Sequence, residues 1–337
     1  GHLEEDEYSA IHYTYNGNEY VFNGRVMAEY DLIFRTLTEK GIEITAIILN
    51  DVSLDYPWLI HPLAREGIGK PPYYAFNGSD ETGVEYLAAI GTFLTERYSG
   101  RMNGRGVVAN WVIGNEINAW KEWNYMKHVD LELYVREYVR AFRIFYNGVK
   151  SVNKACGVYI SLDNQWNRIN VLTQSYRGKD VLDEFNRQIK AEGNIDWGLA
   201  IHPYNKPLTR VDTWGSSIYV KDRVDTPVVS MANIRVVTEY MEQEDFLTED
   251  GEVRSIIISE LGYTSSKGEE EQAQAIVYAY RMAEGNPHID SIIFSRQTDA
   301  REEVERLRLY QGLNRADGSH KYAYEVFRDM DGEGMVR

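Results

Sequence analysis

The chain has 337 residues, and its 36 basic and 52 acidic side chains leave a formal net charge of −16, which opposes binding to nucleic acid or an anionic membrane surface. Apolar residues make up 43%, enough for a large core, yet no apolar run reaches membrane-span length and no signal-peptide pattern is present. The single cysteine, Cys156, excludes an internal disulfide and a thiolate metal cage, and reads as a small buried apolar residue.

Residues 1–10 are acidic (Glu4, Glu5, Asp6, Glu7). The start, Gly1-His2-Leu3, lacks a Met; the location is left open, with a secreted, periplasmic or cell-surface one expected if a leader has been removed. Tyr13 to Phe22 alternates aromatics around Asn16-Gly17, a hairpin signature. Helical spacing runs from Val26 to Lys40 and stops at Gly41. Ile42 to Leu49 is a buried strand tipped by Asn50-Asp51, followed by a long Pro-containing loop, residues 52–80, expected to shape a binding site.

Thr82 to Tyr98 is a helix, and Val107 to Ile113 a buried strand that ends in Gly114-Asn115-Glu116 and an aromatic loop with Trp120 and Trp123. Asp130 caps a helix that runs to Asn153. Four further strands follow, at 157–162, 197–201, 255–259 and 289–295. Their tips are Asp163-Asn164-Gln165-Trp166, His202-Pro203-Tyr204, Glu260-Leu261-Gly262-Tyr263 and Arg296-Gln297. Helices at 181–192, 234–246, 269–284 and 319–330 separate or follow them. Alternating strand and helix is the pattern of βαβ crossovers on a parallel sheet, and no linker or repeat interrupts it. The expected organisation is an acidic segment and hairpin, residues 1–23, then one catalytic domain, residues 24–337.

Glu116 and Glu260 each stand just past a buried strand, with two strands between theirs. Strand tips of a closed barrel form a ring, so the two carboxylates can face each other, one as general acid and one as nucleophile or base. Tyr204 can donate to Glu260, keeping it ionised and oriented. Candidate substrate contacts are Asn50, Asn115, Asp163, His202, Tyr204, Tyr263, Arg296 and Gln297, with Trp120, Trp123 and Trp166 as a stacking floor. The 25 Tyr, 7 Trp and 10 Phe suit a carbohydrate partner, whose C–H faces stack on rings. The seven histidines are scattered and no Gly-rich turn precedes a helix, so neither a metal nor a cofactor is expected.

Trp111-Val112-Ile113-Gly114-Asn115-Glu116 resembles the acid/base motif at the end of the fourth strand in clan A of the glycoside hydrolases. Ile257-Ile258-Ser259-Glu260 resembles the nucleophile motif of the seventh strand, and His202-Pro203-Tyr204 the His-x-Tyr of the sixth. The likeness extends over residues 24 to 330 as a pattern, and over the whole chain to bacterial glycosidase-like proteins of that clan. It implies a (β/α)8 TIM-type barrel and a retaining mechanism, with Glu116 as acid/base and Glu260 as nucleophile. Only six barrel strands are legible, so the first two are expected to be lacking or irregular. Clan members set an Arg from the second strand beside the nucleophile, and Arg296 is the substitute this chain offers. The expected function is retaining hydrolysis of an oligo- or polysaccharide. A non-catalytic carbohydrate-binding barrel and a transglycosylase are the alternatives.

Overall fold

The structure, a computed structural model, describes residues 9–51, 55–69, 71–101, 104–171, 173–215 and 217–332. The acidic cluster Glu4 to Glu7 lies outside them. The chain divides into two compact units, one of Gly1–Asn115 with Lys121–Ile160, the other of Glu116–Trp120 with Ser161–Arg337.

In the first unit β1 (Ile11–Tyr15) and β2 (Asn18–Phe22) form the expected antiparallel hairpin, a two-stranded sheet of its own. Asn16 and Gly17 both take positive φ, 48° and 83°, at its turn. The Asn23 side chain accepts from Val26 N and starts α1 (Gly24–Glu39). Three parallel strands follow: β3 (Thr45–Ile48), β4 (Asn110–Ile113) and β5 (Gly157–Leu162), with Thr45 opposite Asn110 and Asn110 opposite Gly157. The crossovers are α2 (Glu81–Arg97) and α4 (Leu131–Val152), the latter capped by Asp130 as its sequence anticipates. These helices approach closely through glycine: a Cβ on Gly148 would stand 3.2 Å from the Thr92 amide nitrogen. The long loop, where described, is not open chain. It makes two 3-10 turns, Pro57–Leu59 and Pro62–Gly67, and buries Ile60, Ala64 and Tyr74 together. His61 within it contacts the buried carboxylate of Glu137 on α4 at 3.3 Å. Cys156 is buried, with its thiol against the Val108 carbonyl.

The short α3 (Trp120–Trp123) lies where the chain returns from the second unit to the first, and β5 passes between them in the other direction. In the second unit the end of β5 receives β6 (Gly198–Ile201) and its extension, the His202 amide donating to the Leu162 carbonyl. β6 pairs with β7 (Ile256–Leu261) and β7 with β8 (Ile289–Phe294), all parallel. Hydrogen-bonded strand order therefore follows chain order from β3 to β8, six parallel strands among the described residues. α5 (Gly178–Ala191), α6 (Arg235–Met241), α7 (Glu269–Glu284), α8 (Arg301–Leu307) and α9 (Tyr322–Asp329) complete the unit. Two helices of this unit differ from the sequence reading, as does α3, which stands where an aromatic loop is expected. The one expected over 234–246 breaks after Met241 and resumes as a 3-10 turn, and α8 is not anticipated at all. Its sequence, REEVERL, buries no residue, so it lacks the apolar stripe by which a helix is recognised. No described helix is long and apolar enough to cross a membrane.

The base of the second unit is pinned by Arg254, just before β7. It is 1% exposed, lies over the Trp197 ring at 4.5 Å, and donates to the carbonyls of Phe246 and Ile195 at 2.7 and 2.9 Å and to Asn194 Oδ1 at 2.5 Å. Removing the guanidinium strands several buried acceptors at once. R254A should lower stability by on the order of 3 kcal/mol in urea unfolding, whereas a loss within experimental error would show those carbonyls to be satisfied otherwise.

Candidate active site

The site belongs to the second unit, and its construction begins in backbone. Beyond β4 the chain turns through Gly114, at φ 77°, and Glu116, at φ 38°, a left-handed conformation that costs a non-glycine residue roughly 1–2 kcal/mol. Two bonds to β5 hold Glu116 there: its amide donates to Ser161 Oγ at 3.1 Å, and the next amide, Ile117, donates to the Ser161 carbonyl at 3.0 Å. Asn118 locks the same turn to the tip of β5. Its Nδ2 donates to Asp163 Oδ1 at 2.5 Å, and its Oδ1 accepts from the Asp163 amide at 2.9 Å.

His202 and Tyr204 extend from β6. The imidazole is completely buried, with Nδ1 at 2.8 Å from Glu116 Oε1 and Nε2 at 2.9 Å from Ser259 Oγ. The same Nδ1 is 3.9 Å from Glu260 Oε2. Tyr204 Oη donates to Glu260 Oε1 at 2.8 Å. Ser259 and Glu260 are consecutive, and in a regular strand they would point to opposite faces. The register of β7 against β8 shifts between Ile258 and Leu261, and this irregularity lets both side chains serve one site. Glu116 Oε1 and Glu260 Oε2 flank one nitrogen, so these two oxygens lie no more than about 7 Å apart, an upper limit compatible with two carboxylates acting on one bond. Their side chains are 17% and 36% exposed, open enough to meet a ligand.

Electrostatics follow from this packing. Burial resists charge on His202. The hydrogen bond and charge of Glu116, aided by Glu260 and Asp163, outweigh it and hold the imidazole above its ordinary pKa. Burial first, then the Glu260 carboxylate, raise the Tyr204 hydroxyl far above its usual range, so it remains a donor. Asp163 is pushed up to about 7, by its withdrawal from solvent and then by the Glu116 charge, against the hydrogen bonds from Asn118 and the Gln165 amide.

The sequence candidates separate under this geometry. Glu116, Glu260, His202 and Tyr204 come together, with Asp163 joined to them through Asn118. Trp166 is 1% exposed, in a T-shaped contact with Tyr240 and with its indole N–H on the Val224 carbonyl, so the buried ring offers no face for a sugar to stack on. Trp120 and Tyr263 are likewise buried. Arg296 is engaged by Glu303 at 2.5 Å and, among the described residues, makes no bond to Glu260, so it does not stand beside Glu260 as the resemblance implied for an arginine. Gln297 is exposed. Three candidates belong to the first unit. Asn50 is buried and spends its amide on the Leu59 and Ala75 carbonyls, tying down the long loop. Asn115 is buried, and Trp123 stacks on Tyr73 at 5.5 Å. The sequence reading missed Ser161, Ser259 and Asn118. Ser161 and Ser259 interrupt otherwise apolar strands, GVYISL and SIIIS, and a hydroxyl inside such a run is the signal that would have found them.

Asp163 gives this site a pH signature. Its ordinary value is 3.8 and its value in the fold about 7, so between these pH values the folded chain binds more protons than the unfolded one and loses stability as pH rises. Asn at this position keeps an oxygen for the Asn118 and Gln165 donors. D163N should match the wild type near pH 4 and exceed it by on the order of 2–4 kcal/mol at pH 8. Parallel stability curves for the two proteins across that range would contradict the assignment.

Solved structures similar to the chain include a family 39 glycoside hydrolase from the gut symbiont Bacteroides cellulosilyticus WH2, at 20% identity and a TM-score of 0.57, with 87% of this chain covering 51% of that one. Another is the hyperthermophilic β-glucosidase from Pyrococcus furiosus, at 14% identity and a TM-score of 0.57, covering 97% of this chain and 77% of that one. A family 1 β-glucosidase from Thermotoga maritima matches at 14% identity and a TM-score of 0.53, covering 90% and 77%. The chain thus spans about half the length of the first. At such identities the likeness shows the fold alone, of the α/β barrel type that the sequence resemblance implied. No curated protein matches the chain in sequence. The model described as "Family of unknown function (DUF5722)" matches residues 2–335, and the chain belongs to that family.

Proposed function

We propose that the protein is a retaining glycoside hydrolase acting on an oligo- or polysaccharide. The observation that carries this reading is the single buried nitrogen, His202 Nδ1, lying 2.8 Å from Glu116 and 3.9 Å from Glu260. The resulting upper limit on the oxygen-to-oxygen spacing is compatible with the ~5–5.5 Å of a double-displacement pair, which supports this reading over an inverting pair held ~6.5–9.5 Å apart. Glu260, oriented by Tyr204, attacks the anomeric carbon, and the leaving oxygen takes the proton of Glu116. Water then attacks the glycosyl ester, Glu116 takes its proton, and Glu260 leaves as carboxylate. His202 Nδ1–H donates to the Glu116 carboxylate that acts as base, and the Ser259 hydroxyl on the opposite nitrogen holds the ring in that orientation. The β-glucosidases among the structural neighbours make β-glucosides the first substrates to try.

The second reading, a non-catalytic carbohydrate-binding barrel, is favoured by one observation: six parallel strands, not eight, among the described residues. A transglycosylase would share the first half-reaction and differ only in its products.

Incubation with a 2-fluoro glycoside bearing an activated leaving group should add one sugar mass to the peptide containing Glu260. Label on no carboxylate, or binding without turnover by the wild type, would transfer the case to the binding barrel. E260Q should lose at least about 10³-fold in kcat on every substrate, while E116Q should lose least on substrates whose leaving group needs no proton. Y204F, which deprives a carboxylate of one charge-assisted hydrogen bond, should fall by about 10–100-fold in kcat. Near wild-type turnover by E260Q would end the hydrolase reading.

A further inference from the structure

We propose that the loops following β5 and β6 carry a subsite for an anionic sugar, bearing a uronate carboxylate or a sulfate ester. This substrate class rests on the hydrolase reading for its chemistry but not for its charge. Arg168 Nη1 donates to Gln165 Oε1 at 2.7 Å and to Asn170 Oδ1 at 2.8 Å. Lys206 Nζ donates to that same Asn170 oxygen at 3.3 Å. Two cations therefore converge on one neutral carbonyl oxygen, with the guanidinium resting over the Tyr219 ring at 5.6 Å.

Among the described residues neither has a carboxylate within ion-pair distance. Every other arginine of these loops does: Arg177 with Asp180 at 3.7 Å, Arg210 with Asp212 at 3.1 Å and Arg223 with Asp225 at 2.6 Å. In a chain of net charge −16, two adjacent cations held without a counter-ion are a cost that a bound anion would repay. Burial and the Arg168 charge push the Lys206 ammonium below its ordinary pKa, and Asp163 offsets this only from beyond ion-pair reach. Among the described residues Arg168 bonds through Nη1 alone, with its other edge, Nε and Nη2, suited to the two parallel bonds a carboxylate or sulfate accepts.

The cluster is tied to the chemistry. Gln165 Nε2 donates to Asn164 Oδ1 at 2.5 Å, Asn164 Nδ2 donates to the Tyr204 carbonyl at 2.6 Å, and the Tyr204 hydroxyl reaches Glu260. Lys206 lies two residues past Tyr204. The cations thus hold a fixed position relative to the nucleophile, as a subsite for a neighbouring sugar requires.

The test is calorimetric binding of E260Q full chain to a panel of uronate-containing and sulfated oligosaccharides, each beside its carboxyl-reduced or desulfated counterpart. At least one acidic member should bind about tenfold or more tightly than its neutral counterpart at low salt, with the preference shrinking as salt rises. Which series shows it distinguishes carboxylate from sulfate. In R168Q/K206Q on the same background the preference should collapse towards unity with an unchanged unfolding temperature. Equal affinity for acidic and neutral members, no binding of any acidic member, or a preference that survives R168Q/K206Q would overturn the subsite. Hydrolysis by the wild type without acid preference defeats the subsite alone. Acid-selective binding without hydrolysis supports the subsite and defeats the hydrolase reading.

Discussion

A completely buried imidazole has two ring nitrogens to satisfy, and that requirement governs the second unit. His202 meets it with Glu116 on one side and Ser259 on the other. Each partner is displaced from regular geometry to serve it. Glu116 adopts a left-handed backbone held by Ser161, and Ser259 sits where β7 slips against β8. The slip that brings Ser259 to the ring also brings Glu260 to Tyr204. One satisfied side chain thereby joins Glu116 to Ser259, beside the Glu260–Tyr204 pair.

Much of this was legible in the sequence because parallel strands are short apolar runs and their tips are abrupt. Glu116, Glu260, His202 and Tyr204 stood out as polar residues closing such runs, and the strand intervals between them placed them together. The aromatic candidates misled for a physical reason: a tryptophan beside a strand tip reads the same whether its face meets solvent or a helix. Trp166 is sealed by Tyr240 from α6, a partner more than seventy residues away. Arg296 stands out by position alone, and no local pattern shows that Glu303 claims it. Asn50 was chosen at a tip too, yet its amide secures backbone carbonyls of the following loop.

Charge tells a similar story at longer range. Net charge read from sequence described the molecule's outer character, but the site is decided by local pairing. Three carboxylates act on one imidazole, and Asp163 yields by holding its proton up to about pH 7. A few residues away, two cations meet without an acidic partner among the described residues. Such imbalances are invisible to composition because they depend on which side chains the loops turn towards each other.

The left-handed backbone at Glu116 bears on how this chain could change over generations. Glycine or asparagine there would relax the turn, since both accept positive φ far more readily than glutamate does. Drift unopposed by selection on chemistry would therefore be drawn downhill, exchanging the carboxylate for a more stable fold. If the proposed function holds, Ser161 and His202 offset that strain so that a carboxylate, and not glycine or asparagine, can stand at this strand tip.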